Sequence, residues 1–270
     1  VEMVKQAGIV GMGGATFPTH VKISGGIGKV DTVIINGAEC EPYITGDHRA
    51  MLERPAEIIG GCCYLAKMFG VNKVVIGVED NKKNGIEALN KVIAEQKAPV
   101  VVESLRCRYP QGGEKQLCQA ITGKQVPPGG LPANIGCAVF NINTTIAIYH
   151  AIKDGMPVVR KVVTVSGSGV VEPKNLECPI GTPVSLLFDA CGGLDAIVAG
   201  DLDVACVAVY ELQFKGIAVL VFRDLAVPQC MVLCLNLCRR AVHLPDIVRR
   251  SSVFNPTGDE CRRRECRRAD

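Results

Sequence analysis

The sequence lacks any long hydrophobic run. A helix that crosses a bilayer needs about 20 consecutive apolar residues, whereas the longest apolar candidate, at 216–222, is only as long as a strand. The chain opens on Val-Glu-Met-Val, without an initiator methionine at position 1 and without the pattern of a secretory signal peptide. The sequence therefore predicts no membrane span, and its start reads as incomplete.

The net charge is also small, because 30 basic and 27 acidic residues leave a formal charge of +3. The basic excess lies in the segment 230–270, which holds nine arginines and five acidic residues. Binding of nucleic acid depends mainly on clustered positive charge, so a near-neutral body indicates no nucleic-acid partner. The four histidines show no metal-binding or catalytic spacing, and we interpret them as structural or surface residues: His20, His48, His150 and His243.

Cysteine, in contrast, is abundant, with 14 residues in the chain. A chain of this length without an export signal fits a reducing compartment better than a disulfide framework. Five cysteines stand in apolar surroundings and are predicted to be small core residues: Cys62, Cys63, Cys118, Cys137 and Cys206.

Strand-like and helical patterns alternate through the first half of the chain. Apolar, β-branched runs occupy 31–36, 73–78 and 99–105, and apolar residues recur at helical spacing over 58–69 and 84–94. Pro55 suits the first turn of the earlier helix, and Gly70 suits its end. This alternation predicts βαβ units, hence an α/β domain with a mostly parallel sheet flanked by helices. Further helices are predicted at 113–121 and 143–153.

The pattern changes near residue 157. A strand over 161–166, a glycine-containing turn and a short helix from about 183 to 191 indicate a small, β-rich module. We therefore expect an α/β domain over 1–156 and a β-rich domain over 157–225. The remaining segment, 226–270, is a divergent tail rich in cysteine and arginine, and lysine disappears from the sequence after Lys215.

The first candidate binding motif is the glycine-rich segment 8–22. Gly11, Gly13 and Gly14 allow the backbone to approach a ligand closely and to present successive N–H groups to an anion, and Lys22 adds a positive charge. The spacing matches neither the Rossmann fingerprint nor a P-loop. A purely structural turn is the alternative interpretation.

The second motif, 36–43, follows the first predicted strand. Ligands of doubly wound sheets bind at the carboxyl ends of the strands. Asn36, Glu39 and Glu41 there have the amide and carboxylate groups to hydrogen-bond the polar edge of a heterocycle and a ribose. The alternative is an acidic surface turn.

Two further motifs precede helices. In 109–115 a turn leads into a helix, where Glu114 either orients a nucleotide hydroxyl or stabilises the helix dipole as a first-turn acid. In 140–145 a strand is followed by Asn141 and Thr144, whose residue types favour capping of the next helix.

Together these segments resemble a known family in their order and spacing. The stretches GMGGATFPTHVK, INGAECEPYITGDHR, YPQGGEKQL and VPPGGLP are similar to the C subunit of Rnf-type electron transport complexes, which are ferredoxin:NAD oxidoreductases. More distantly, they resemble the NADH-binding flavoprotein subunit of respiratory complex I. The resemblance covers about residues 1–220 and is closest over 7–193.

The resemblance implies two adjoining sites. One, for flavin mononucleotide (FMN), would be lined by Gly11, Gly13, Lys22, Asn36, Glu39, Asn141 and Thr144. The other, for NAD(H), would contain Gly14, Phe17, Glu41 and Glu114. Phe17 would stack on a ring, and the glutamates would contact ribose hydroxyls. The module that begins at residue 157 would be a β-grasp, soluble-ligand-binding (SLBB) domain.

The function implied is electron transfer between NADH and ferredoxin or another iron–sulfur protein through FMN, coupled to ion transport. The chain would lie peripherally on the cytoplasmic side of the plasma membrane, bound to membrane subunits of the complex. No side chain need act as a general acid or nucleophile, because the cofactor carries the chemistry. The family also has an N-terminal β-rich domain that this sequence does not contain, so we expect a fragment.

Relatives of this kind end in two CxxCxxCxxxCP runs that ligate [4Fe-4S] clusters. Here Cys230, Cys234 and Cys238 stand at the corresponding place, with gaps of three residues instead of two. They are candidate cluster ligands. The same spacing would also place three buried cysteines on one face of a helix.

Two other functions remain open at the level of sequence. The first is a soluble flavin reductase, similar to the proline-reductase-associated electron carriers or to cobalamin reductases. The second is a non-catalytic fragment that acts only as a binding module. Flavin absorbance of the purified chain separates electron transfer from the binding module.

Overall fold

A computed structural model describes residues 1–14, 16–167, 169–194, 204–207 and 219–222. The helices are α1 Glu2–Gln6, α2 Thr19–Gly26, α3 Gly46–Glu53, α4 Pro55–Phe69, α5 Lys83–Gln96, α6 Glu114–Thr122, α7 Ile142–Lys153 and α8 Val184–Ala190, with a 3₁₀ turn at Pro132–Ile135. The strands are β1 Thr32–Gly37, β2 Val74–Glu79, β3 Val100–Leu105, β4 Cys137–Asn141, β5 Arg160–Val165, β6 Lys174–Pro179, β7 Val204–Val207 and β8 Val219–Phe222. None of the described helices is long and apolar enough to cross a bilayer.

The described residues divide into two compact units, the first of which holds Val1–Glu41 and Thr45–Val159. Its centre is a four-stranded sheet in the order β3-β2-β1-β4. All three strand pairs are parallel. Parallel neighbours need crossover connections, which the helices between the strands provide. The predicted α/β fold with a parallel sheet is thereby confirmed.

Helices cover both faces of this sheet. Successive side chains of a strand point to opposite sides, so a strand with consecutive apolar residues must be buried on both faces. Ile35 of β1 belongs to a large buried cluster with residues of α4, α5 and α7. Ile34, its neighbour in sequence, belongs to a second cluster with Leu117 and Cys118 of α6. Strand β2 is buried at every position, as expected for a strand between two neighbours under helices on both faces.

The limits of α4 follow the predicted signals. Pro55 occupies the first turn, and Gly70 ends the helix in the left-handed conformation, with φ of 69°. Of the cysteines predicted to be in the core, Cys62, Cys118 and Cys137 are buried and Cys63 is half-buried. The side chain of Cys206 lies outside the described residues.

The second unit contains Pro42–Ile44 and the described residues from Arg160 onward. Strands β5 and β6 form an antiparallel pair in it, and β7 pairs antiparallel with β8. A small core joins the β5 strand to α8 and consists of Val163, Val165, Val170, Leu187 and Cys191.

Helices α4 and α7 approach each other at a glycine. A Cβ atom on Gly61 would collide with the backbone carbonyl of Thr145. Gly61→Ala therefore forces the helices apart, and we expect a loss of about 1–3 kcal/mol in the free energy of unfolding, measured by urea denaturation.

Gly85→Ala is the matched control on α5. Its Cβ would lie 3.5 Å from atoms of His48 and Met51, an ordinary contact. Because alanine also has the better helix propensity, this variant should gain about 0.5–1 kcal/mol. Equal effects of the two substitutions would contradict the close packing of α4 on α7.

Candidate functional site

Polar residues gather where β1 and β4 end. Asn36, near the end of β1, is directly paired with Asn141 of β4 on one side and with Gly77 of β2 on the other. The carboxyl edge of a parallel α/β sheet is where ligands of this architecture bind. The second and fourth sequence motifs therefore meet in adjacent strands.

The glycine-rich loop lies against the start of α7. The backbone N–H of Met12 donates to the buried Oγ1 of Thr144 at 2.9 Å. A Cβ on Gly13 would lie 2.8 Å from Nδ2 and 2.9 Å from Cβ of Asn141, so a side chain here would displace Asn141. The loop closes on itself through a 2.9 Å hydrogen bond from the N–H of Gly11 to the carbonyl of Phe17. The first motif thus joins the fourth.

Asn141 caps α7 and also reaches across the site. Its Oδ1 accepts hydrogen bonds from the N–H groups of Asn143 at 2.8 Å and Thr144 at 3.4 Å, as predicted for a capping residue. Its Nδ2 donates to Asp47 at 2.7 Å, and Asn143 donates to the other oxygen of the same carboxylate at 2.7 Å. Asp47 therefore connects α3 to α7, a role that the sequence alone did not indicate.

Glu39 holds the loop after β1 onto α3. Its two carboxylate oxygens accept hydrogen bonds from the N–H groups of Asp47 at 2.8 Å and His48 at 3.1 Å. A carboxylate at a helix N-terminus is favoured by the dipole and satisfies N–H groups that lack partners within the helix. Burial raises the pKa of Glu39, although these backbone hydrogen bonds oppose the shift. Glu39 shapes the loop that carries the second motif.

Asn36 joins the second motif to the third. Its Nδ2 donates to the carbonyl of Gly112 at 2.8 Å, and its Oδ1 accepts from the N–H of Ala38 at 3.2 Å. A Cβ on Gly112 would collide with the Ala38 carbonyl, so only glycine fits. The N–H of Gly112 also contacts Sγ of Cys40 at 3.3 Å. This role of Gly112 was not predicted from the sequence.

Lys22 extends from α2 to β4 and α6. Its Nζ donates to the carbonyl of Val139 at 2.9 Å and to Oε1 of Glu114 at 3.2 Å. The ammonium also lies 5.6 Å from the centre of the Phe140 ring. The Lys22 and Glu114 side chains are 33% and 42% exposed, so both groups are accessible to a ligand in solution.

The remaining predicted residues adjoin these loops. Phe17 is 48% exposed, which leaves its ring available for stacking. Glu41 receives a hydrogen bond from the Tyr109 hydroxyl at 3.5 Å. Gly14 is half-buried in the glycine-rich loop. The three tail cysteines Cys230, Cys234 and Cys238 lie outside the described residues.

One buried acid at this edge was not predicted from the sequence. Glu79 is the last residue of β2 and is 2% exposed. Its carboxyl group accepts a hydrogen bond from the backbone of Arg108, but Oε1 has no partner within the described part of the chain. Burial raises the pKa of Glu79 to about 7, against the attraction of Lys82. The available signal was an acid at the end of an otherwise apolar strand.

The raised pKa makes stability depend on pH. The folded state binds the Glu79 proton more tightly than the unfolded chain does. Protonation of Glu79 therefore stabilises the fold at low pH, and this contribution to the free energy of unfolding is lost as the pH rises through about 7. Glu79→Gln removes the ionised form. We expect the variant to match the wild type near pH 4 and to exceed its free energy of unfolding by on the order of 1–3 kcal/mol at pH 8.

Glu103→Gln is the control, because Glu103 is an exposed acid on the neighbouring strand β3. Denaturation curves at pH 4, 6 and 8 make the comparison. A Glu79→Gln profile parallel to that of the wild type would show that Glu79 titrates normally.

A parallel sheet with a glycine-rich loop, capped helices and a lysine at its carboxyl edge defines an α/β cofactor-binding domain. Residues 4–150 match the family described as the Nuo51 FMN-binding domain, and residues 162–200 match the SLBB domain. The first match covers more than half of the 270 residues, so the chain belongs to the Nuo51 FMN-binding domain family. The family resemblance and the order of an FMN-type domain before an SLBB domain are confirmed.

Several longer relatives are similar to the chain. The C subunit of the proton-translocating ferredoxin:NAD(+) oxidoreductase complex of Clostridium ljungdahlii is 47% identical over 71% of the chain and 42% of the relative. The Na(+)-translocating counterpart of Acetobacterium woodii is 46% identical over 72% of the chain and 44% of the relative. The C subunit of the ion-translocating oxidoreductase complex of Salmonella arizonae is 44% identical over 71% and 28%. The chain thus spans less than half the length of these relatives.

Among solved structures, the NAD+-reducing [NiFe]-hydrogenase in its air-oxidized state has a chain of the same fold. The TM-score is 0.62 with 23% identity, over 70% of this chain and 38% of the hydrogenase chain. The H2-reduced state of that enzyme gives the same TM-score, 0.62, at 22% identity. At this level of identity the likeness concerns the fold.

Proposed function

We propose that this chain binds FMN and transfers electrons between NAD(H) and ferredoxin or another iron–sulfur protein, as a subunit of an ion-translocating complex. The observation that carries the proposal is the direct connection of four separate loops at one sheet edge. The Met12–Thr144, Asn36–Gly112 and Lys22–Glu114 contacts make that connection. The names of the relatives, C subunits of ferredoxin:NAD(+) oxidoreductase complexes, support the same function.

The residues at this edge fit an FMN molecule. Gly13 and Gly112 lack side chains where a Cβ would meet Asn141 or Ala38, so the loops that carry them pack directly against their neighbours at this edge. Lys22 provides a partly exposed ammonium group that can pair with a phosphate. The backbone and amide groups around the glycines provide polar partners for a ring edge and a ribityl chain.

When bound, FMN accepts a hydride as an electron pair and releases electrons singly. The protein residues hold the loops in place before any ligand arrives. Asn36 and Asn141 each use both ends of their amide groups on neighbouring backbone or carboxylate. Glu39 fixes the intervening loop through the N-terminus of α3. Binding therefore costs little loop ordering, which favours affinity.

We also propose that NAD(H) binds at the same edge. The half-exposed ring of Phe17 offers a face for stacking on a flat ring. Glu41 and Glu114 carry carboxylates that can accept hydrogen bonds from ribose hydroxyls. Gly14, in the same loop, allows the nucleotide to approach the backbone. Glu114 also forms an ion pair with Lys22. The proposed NAD(H) contact at Glu114 and the proposed FMN contact at Lys22 are therefore adjacent.

The assembly is part of the proposal. The chain would associate peripherally with membrane subunits on the cytoplasmic side, and the SLBB unit is a candidate contact region. The tail cysteines Cys230, Cys234 and Cys238 are proposed ligands of a [4Fe-4S] cluster that would receive or deliver electrons.

Lys22→Ala and Asn36→Ala test the FMN site. Lys22→Ala removes a charge-assisted contact to the phosphate, and Asn36→Ala frees the loop at Gly112. We expect each substitution to raise the FMN dissociation constant by about tenfold or more, because each lost contact contributes about 1.5 kcal/mol or above. Quenching of flavin fluorescence on titration measures the constant, and circular dichroism verifies that the sheet remains folded.

Lys29→Ala is the matched control, since Lys29 is an exposed lysine just after α2. Unchanged FMN affinity in both Lys22→Ala and Asn36→Ala would count decisively against this site. A folded wild-type chain that binds no flavin would instead favour the role of a binding module.

A further inference from the structure

The carboxyl edge of the sheet contains an acid that the proposed flavin contacts do not use. Glu79 ends β2, the strand between β1 and β3. Glu79 interacts electrostatically with Glu39, on the loop after β1, and accepts a hydrogen bond from the backbone of Arg108, on the loop after β3 that also carries Gly112. Both loops belong to the proposed FMN site.

Two buried oxygens at this strand end have no hydrogen-bond partner in the described part of the chain. They are Oε1 of Glu79 and, two residues further, Oδ1 of Asn81. Other atoms of the same side chains are engaged, because Glu79 accepts from the Arg108 backbone and Asn81 donates to Sγ of Cys107 at 3.2 Å. Buried polar atoms in folded proteins are nearly always paired, so unpaired atoms at a ligand-binding edge indicate a partner from outside the chain.

The surroundings of Glu79 favour its neutral form. Burial is the largest influence, and the acids Asp80 and Glu39 add to it. Cys40, on the loop after β1, is a further neighbour whose thiol is itself affected by the charge of Glu79. Lys82 and the N–H of Arg108 oppose these effects, and the resulting pKa of about 7 lets the proton exchange near neutral pH.

We propose that Glu79 is a proton-linked ligand residue of the flavin site. Its protonated Oε1 donates a hydrogen bond to an acceptor on the isoalloxazine ring, while Oδ1 of Asn81 accepts from a ring N–H. The pyrimidine edge of a flavin alternates carbonyl acceptors with an N–H donor, which matches this pair of side chains. The inference rests on the proposed FMN function.

Binding then consumes one proton. The ionised carboxylate takes the proton from solvent, and the resulting O–H forms the hydrogen bond to the ring. Affinity should consequently fall as the pH rises, because the competent, protonated form becomes scarce.

The experiment compares riboflavin and FMN binding to the full chain between pH 6 and pH 8.5. Riboflavin has no phosphate, so its pH profile reports on the protein alone. The ligand binds only when Glu79 is protonated, and the pKa of Glu79 is about 7. The dissociation constant should therefore rise about tenfold from pH 6 to pH 8. Titration calorimetry at pH 8 in two buffers of different ionisation enthalpy should show uptake of a proton by the wild type.

Two variants separate the donor from the charge. Glu79→Gln keeps an N–H donor without a charge, so its riboflavin affinity should be independent of pH and its proton uptake should vanish. Glu79→Leu has no donor, so its riboflavin affinity should be independent of pH and weaker than that of Glu79→Gln at every pH. Glu103→Gln on β3 should behave as the wild type, and thermal melts at both pH limits verify folding.

The outcomes distinguish this inference from the proposed function. Riboflavin binding whose pH profile is the same in the wild type and in Glu79→Gln overturns the role of Glu79 and leaves the FMN site standing. A folded wild type that binds neither flavin at any pH overturns both.

Discussion

The parallel pairing of β1 with β4 is the constraint on which the site depends. Register sets Asn36 beside Asn141 at the carboxyl edge, and each asparagine then holds a different set of loops. A shift of β4 by one residue would turn its side chains, including that of Asn141, to the opposite face of the sheet. The hydrophobic alternation that buries Ile34 on one face and Ile35 on the other therefore also fixes the polar geometry.

Most polar side chains at this edge hold protein rather than face solvent. Asp47 bridges two amides, and Glu39 caps the helix that presents Asp47. Such a network costs conformational freedom during folding, so a ligand meets loops that are already ordered. The glycines complete the arrangement, because Gly13 and Gly112 allow backbone to approach where any side chain would intervene.

Periodicity was sufficient to predict three of the four strands of the sheet and the helices α4 to α7. The strands near 31–36, 73–78 and 99–105 and the signals at Pro55 and Gly70 are local features, and the structure agrees with them. Helices α2 and α3 were missed because two glycines weaken the first and a distant carboxylate caps the second. Their stability comes from tertiary contacts that no window of sequence displays.

The motifs of the candidate site are visible in the sequence, but the contacts between them are not. Asn141 and Lys22 stood out by residue type and spacing, whereas Asp47, Gly112 and Glu79 matter because of which loops meet. Glu79 is instructive, since an acid at a strand end resembles an ordinary surface residue until its burial is known.

The thiol of Cys40 accepts the Gly112 N–H, and burial raises its pKa to about 11. Oxidation of cysteine to a sulfenic acid proceeds through the thiolate, which is almost absent at neutral pH for such a group. Reduced flavins release peroxide when oxygen reaches them. At the proposed flavin site, a thiol held in this way would therefore react slowly with peroxide.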